Sequence, residues 1–122
     1  LYWLREFHVD GLRLDAIHAI YDFSAKHVLA ELAEEVADLS EQLGKPLYVT
    51  AESDLNDTRI IRPVEQGGFN LQAQWCDDFH HALHTLVTCE RYAYYNDFCT
   101  CEDLATAMRD RFVYSGKFSP FR

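Results

Sequence analysis

The stretch "HVDGLRLDAIHAIYD", residues 8 to 22, carries Arg13 and Asp15 inside an apolar run that otherwise reads as a strand. Side chains two positions apart on a strand point to the same face. Arg13 and Asp15 are therefore expected side by side, with Leu12 and Leu14 on the opposite face. A guanidinium next to a carboxylate favours its ionised form. A carboxylate kept charged in a pocket is suited to act as a nucleophile.

A second run, "PLYVTAES" (46–53), repeats the arrangement. Tyr48, Thr50 and Glu52 share one face, and Leu47, Val49 and Ala51 the other. Glu52 ends this run as Asp15 ends the first. It has no cation beside it in sequence, so partial desolvation is expected to fit it for proton donation. Neighbouring strands lie about 4.8 Å apart. Groups at equivalent ends of adjacent strands can therefore approach to about 5–5.5 Å, the carboxyl separation of a double displacement at a sugar carbon.

The elements that must hold these groups follow from local pattern. Residues 1–8 read as the end of a helix packing Trp3, Leu4 and Phe7, before a turn at Asp10-Gly11, and 11–16 as a buried strand. In "SAKHVLAELAEEVADLSEQLGK", Leu29, Leu32, Val36, Leu39 and Leu43 recur at helical steps. Ser24 is the expected N-cap and Gly44 the left-handed stop. The acidic positions Glu31, Glu34, Glu35, Asp38 and Glu41 form the solvated face of that helix. After the strand at 46–53 come a polar loop (54–68) and a third strand, "FNLQAQW" (69–75). A helix "DDFHHALHTLVT" capped by Asp77 or Asp78 follows, and then "TCEDLATAMRDRF" capped by Thr100.

Strand, helix, strand, loop, strand, helix implies crossover connections and a parallel sheet. The expected fold class is α/β: a portion of a (β/α)8 barrel with about three parallel strands and flanking helices, since a closed barrel takes about 250 residues. Residues 1–122 then form one partial barrel domain. A doubly wound domain would need more strands and a glycine-rich phosphate loop, and neither GxGxxG nor GxxxxGK[ST] occurs. A chain that begins without Met and ends on "SPFR" is expected to be a piece of a longer protein.

Composition narrows the class further. Forty-eight per cent hydrophobic and 14% aromatic residues suffice for a packed core. A net charge of −9 disfavours binding to the phosphates of nucleic acid. No apolar run is long enough to span a membrane, and the first residues lack a secretory signal pattern. Cys76, Cys89, Cys99 and Cys101 form no CxxC pair and no disulfide framework. A cytoplasmic protein is expected.

Three motifs in this order, "DGLRLDAIHAI", "AESDLND" and "QWCDDFHHALHTLVTCE", resemble the α-amylase superfamily of glycoside hydrolases. The "DDFHHALH" block, with "YYNDF" and "GKFSPFR", resembles its trehalose-releasing branch. The resemblance runs over essentially the whole chain. It implies that Asp15 is the nucleophile, Glu52 the general acid/base and Arg13 the residue orienting Asp15. His18 falls where the superfamily often contacts the sugar beside the scissile bond. The implied reaction is hydrolysis of the α-1,4 bond next to the trehalose end of a malto-oligosyltrehalose, with no metal or organic cofactor. A plain α-glucan substrate, as in amylases or branching enzymes, and a non-catalytic carbohydrate-binding segment are the alternatives. The superfamily's Asn-His motif and its His-Asp motif are absent from these residues. The third carboxylate is expected beyond Arg122, and the segment alone is expected to be inactive, with open sheet edges that invite self-association. Cys76 and Cys89 depart from the pattern, which has a polar residue and a glycine there.

The remaining candidates are sugar contacts. Asp54, two positions past Glu52, can share its face; Asp78, His80 and His81 offer hydroxyl partners, and Glu90 follows the turn at Cys89. Trp75, Tyr94 and Tyr95 are either pyranose platforms or core. His80 and His84 sit one helical turn apart, but no third ligand has suitable spacing for a metal.

Overall fold

The computed structural model describes residues 1–120; Phe121 and Arg122, which end the "GKFSPFR" stretch, lie outside the described residues. The chain divides into two compact units, Leu1–Trp75 and Cys76 onward.

The first unit contains α1 (Tyr2–Glu6), β1 (Gly11–Leu14), α2 (Val28–Leu43) and β2 (Tyr48–Ser53), and ends at Trp75 within β3 (Ala73–Cys76). The sheet order is β1-β2-β3. β1 and β2 are parallel, with Arg13 opposite Thr50 and Leu14 opposite Ala51. Helix α2 is the crossover that makes this direction possible. Its Leu29, Ala33, Val36 and Leu39 are buried together with Leu47, Val49 and Ala51 from the β2 region, Leu4 from α1, and Ile17, Ile60 and Leu71. Each large side chain in such a core is worth about 1.5–3 kcal/mol. The acidic positions 31, 34, 35, 38 and 41 are exposed, as the helical pattern requires.

Several boundaries differ from the sequence reading, each for a local reason. β1 stops at Leu14 and is only half-buried at Leu12 and Leu14. It is the outer strand of the sheet and has a neighbour on one side only. In α1 only Leu4 is buried; Trp3 and Phe7, four residues apart on the other face, pack against each other at a tilt and meet Tyr2 edge-on. Helix α2 begins at Val28, not near Ser24. His27 caps it by accepting the Leu29 N–H, and the Asp22 carboxylate accepts the N–H groups of Ser24 and Val28. These donors hold the Asp22 carboxyl below its usual range, the Ser24 hydroxyl most strongly. At the other end, Gly44 provides the expected stop at φ +59°.

The third strand is shorter than 69–75. Asn70 adopts φ +59°, and residues 69–71 instead bond back to Arg59, Ile60 and Arg62. Gly68 is required at this closure, because a Cβ there would lie 2.1 Å from the Arg62 carbonyl oxygen. The loop before it contains two single turns of 3₁₀ helix, Thr58–Ile60 and Val64–Gln66.

The second unit pairs α3 (Asp77–Thr88) with α4 (Cys101–Asp110) around Ala82, Phe98, Ala107 and Val113. Thr100 caps α4 as expected, and Asp103 completes a capping box. The cap expected of Asp77 or Asp78 at α3 does not form: Cys76 occupies the N-cap position without a side-chain bond. Asp78 is fully buried, and its Oδ2 accepts the N–H groups of Val113 (2.8 Å) and Tyr114 (2.9 Å). Helix α3 ends at Cys89, whose φ of +59° is the left-handed stop that glycine adopts without cost.

Candidate active site

Burial alternates along β2: Val49, Ala51 and Ser53 are buried, while Thr50 and Glu52 are half-open on the other face. Glu52 therefore emerges near the carboxyl end of β2. Asp15 lies immediately past the end of β1 with most of its side chain in solvent. Arg13 connects them. One guanidinium nitrogen bonds Asp15 Oδ1, and the other lies 3.8 Å from Glu52 Oε2. The Arg13 Cζ also stands 4.8 Å from the centre of the Trp75 ring on β3, within cation–π range. A single cation thus touches groups from all three strands.

Glu52 also accepts a backbone hydrogen bond. The Ala16 N–H reaches its Oε2 at 2.6 Å. Ala16 is in the left-handed region (φ 45°, ψ 48°), where the chain leaves β1 and enters the 3₁₀ turn Ile17–Ala19. Sequence adjacency showed neither contact, because both arrive from the neighbouring strand.

His18 sits in that turn, its Nδ1 3.6 Å from Asp54 Oδ1. Its side chain also lines a cavity of about 150 Å³ together with Ser53, His27, Phe69 and the Asp57–Arg59 pair. Ser53 faces away from Glu52 along β2, and neither Glu52 nor Asp15 lines this cavity. Arg59 grips Asp57 through Nε and Nη2 (2.9 and 2.6 Å), which holds the Asp57 carboxyl below its usual range.

The other sequence candidates belong to the second unit. His80 is exposed, 4.4 Å from the ring of His81. His81 is buried among Tyr94, Tyr95 and Phe98. His84 Nε2 lies 2.6 Å from Glu90 Oε2, and its ring stacks on Tyr95 at 4.3 Å. The hydrogen bond with Tyr94 pushes the Tyr95 phenol above its usual value. Burial likewise raises the Cys76 thiol, which donates to the Arg111 carbonyl. Among the described residues, no three His, Cys, Asp or Glu side chains are grouped to hold a metal ion.

No family model matches the chain. The malto-oligosyltrehalose trehalohydrolase of Saccharolobus solfataricus is 52% identical over 121 residues, 99% of this chain and 20% of that protein. That of Mycobacterium tuberculosis is 51% identical over 122 residues, 100% of this chain and 21% of its own. A crystal structure described as an alpha amylase from Salmonella typhimurium superposes with a TM-score of 0.80 at 41% identity, over 98% of this chain and 20% of that one. The strand order and this likeness define the fold as a segment of an α-amylase-type barrel. Along its length the chain is similar to malto-oligosyltrehalose trehalohydrolases, and it spans about a fifth of the length of the relatives it matches.

Proposed function

We propose that the protein containing this segment is a retaining α-glycosidase. It hydrolyses the α-1,4-glucosidic bond next to the trehalose end of malto-oligosyltrehalose and releases trehalose. Asp15 attacks the anomeric carbon while Glu52 protonates the departing oxygen. Glu52 then takes a proton from the water that breaks the Asp15 ester. Arg13 orients Asp15, and His18 contacts the sugar, steadied by Asp54. In the second unit, exposed His80 is the candidate for a hydroxyl contact; Asp78 and His81 are buried, and Glu90 is paired with His84.

The observation that carries this reading is the guanidinium of Arg13 shared between two strand-end carboxylates. In the full-length protein, Asp15→Ala and Glu52→Gln should each lower trehalose release by several orders of magnitude. Near-normal turnover in either variant would refute the assignment. The likeness to an alpha amylase favours a second reading, a plain α-glucan substrate, which product analysis for trehalose separates from the first.

The 122-residue segment alone should not hydrolyse the substrate, and its unpaired strand edges favour self-association. Among the described residues no helix is long and apolar enough to cross a membrane. The four cysteines are free thiols, which suits a cytoplasmic setting.

A further inference from the structure

We propose that Ala16 is a positioning residue for Glu52, acting through its backbone N–H. The inference rests on the reading of Glu52 as the acid/base. A glutamic acid has two oxygens, and only one can deliver a proton to a given leaving oxygen along a productive path. Here the one hydrogen-bond donor and the nearby cation address the same atom: the Ala16 N–H bonds Oε2 at 2.6 Å, and the Arg13 guanidinium pairs with it electrostatically at 3.8 Å. A proton on Oε2 would be set against a cation and would weaken that oxygen as an acceptor. The proton is therefore directed to Oε1.

In the first step the Oε1–H proton passes to the glycosidic oxygen as the C1–O bond breaks and the Asp15 carboxylate bonds C1. In the second, water attacks C1, its proton goes to Oε1, and the C1–Asp15 bond breaks. Throughout, Oε2 stays anchored to the strand end that carries Asp15.

The local backbone is built for this. Alanine at φ 45° and ψ 48° is in a region that L-residues other than glycine enter at a cost. The turn points the N–H of the residue after Asp15 across to β2, coupling the position of the acid/base to that of the nucleophile.

The test replaces Ala16 with lactate in the full-length protein, exchanging the amide N–H for an ester oxygen. Loss of a charge-assisted hydrogen bond should lower kcat on malto-oligosyltrehalose about tenfold, with KM changed less than about twofold. Single-turnover fluoride release from α-maltotriosyl fluoride, whose leaving group needs no proton, should stay at the unsubstituted rate. Ala16→Val, whose branched side chain disfavours this φ, should show the same split between substrates. Unchanged kcat in the ester variant, or equal losses on both substrates, would overturn the proposal. Glu52→Gln measured in parallel separates the two claims. Near-normal turnover in that variant defeats the acid/base reading itself. A dead Glu52→Gln beside a fully active ester variant defeats only the role of Ala16.

Discussion

The guanidinium of Arg13 bonds Asp15 on its own strand and stands 3.8 Å from Glu52 on the next. This bridge requires a planar, forked cation, and lysine offers only a point charge on a flexible stem. Arg13→Lys should therefore lower kcat by about a hundredfold, the scale expected when catalytic groups shift by about an ångström. The Arg13–Asp15 pair is largely solvent-exposed, so it adds little to stability. The thermal midpoint should hardly move. A matching fall in midpoint and kcat would show that Arg13 acts by holding the fold.

Asp78 accepts two backbone N–H groups more than thirty residues away while fully buried. Asp78→Ala would leave the Val113 and Tyr114 donors unsatisfied and open a small void. A cost of about 2–4 kcal/mol is expected, read as a lowered denaturation midpoint with faster hydrogen exchange at residues 113 and 114. A change below about 0.5 kcal/mol would contradict this account of the residue.

Cys89 holds the left-handed end of α3. Cys89→Gly should stabilise the protein by about 0.5–1 kcal/mol, because glycine enters this region without the Cβ clash. The measurement is the unfolding midpoint, which should rise.

Asp103 gives α4 a pH signature. Burial pushes its carboxyl up, but the Thr100 hydroxyl and N–H and the Lys117 ammonium outweigh burial and bring it below the ordinary 3.8. A carboxyl lowered in the folded state stabilises fully above its unfolded value. That contribution is lost as pH falls through the folded value. Hydrogen exchange at α4 amides should therefore be slower than in Asp103→Asn at pH 5, with the difference closing as pH drops below 3.8. A difference that stays constant across this range would contradict the sign.

The parts of this fold legible in the sequence are those set by neighbours along the chain. The alternation of "YVTAES" placed Glu52 opposite Val49 and Ala51, Gly44 stopped α2, and Thr100 capped the start of α4. What escaped depends on contacts between distant residues or on the backbone itself. No propensity marks the Ala16 N–H as the partner of Glu52, 36 positions away. Trp75 is exposed rather than core, and its ring lies against Arg13. Asp78 had the type and place of a helix cap, yet two N–H groups beyond α4 hold its carboxylate instead. Ser24 has the type of a helix cap, yet the ring nitrogen of His27 accepts the Leu29 N–H at the start of α2 instead.

The assignment of Asp15 and Glu52 is tested most directly by trapping the covalent intermediate. Full-length Glu52→Gln treated with α-maltotriosyl fluoride can form the glycosyl ester but lacks the base that hydrolyses it. Mass spectrometry of the digested protein should find one maltotriosyl group on Asp15, and none when Asp15→Ala is added to the same variant. A label on any other residue, or its persistence without Asp15, would contradict the account.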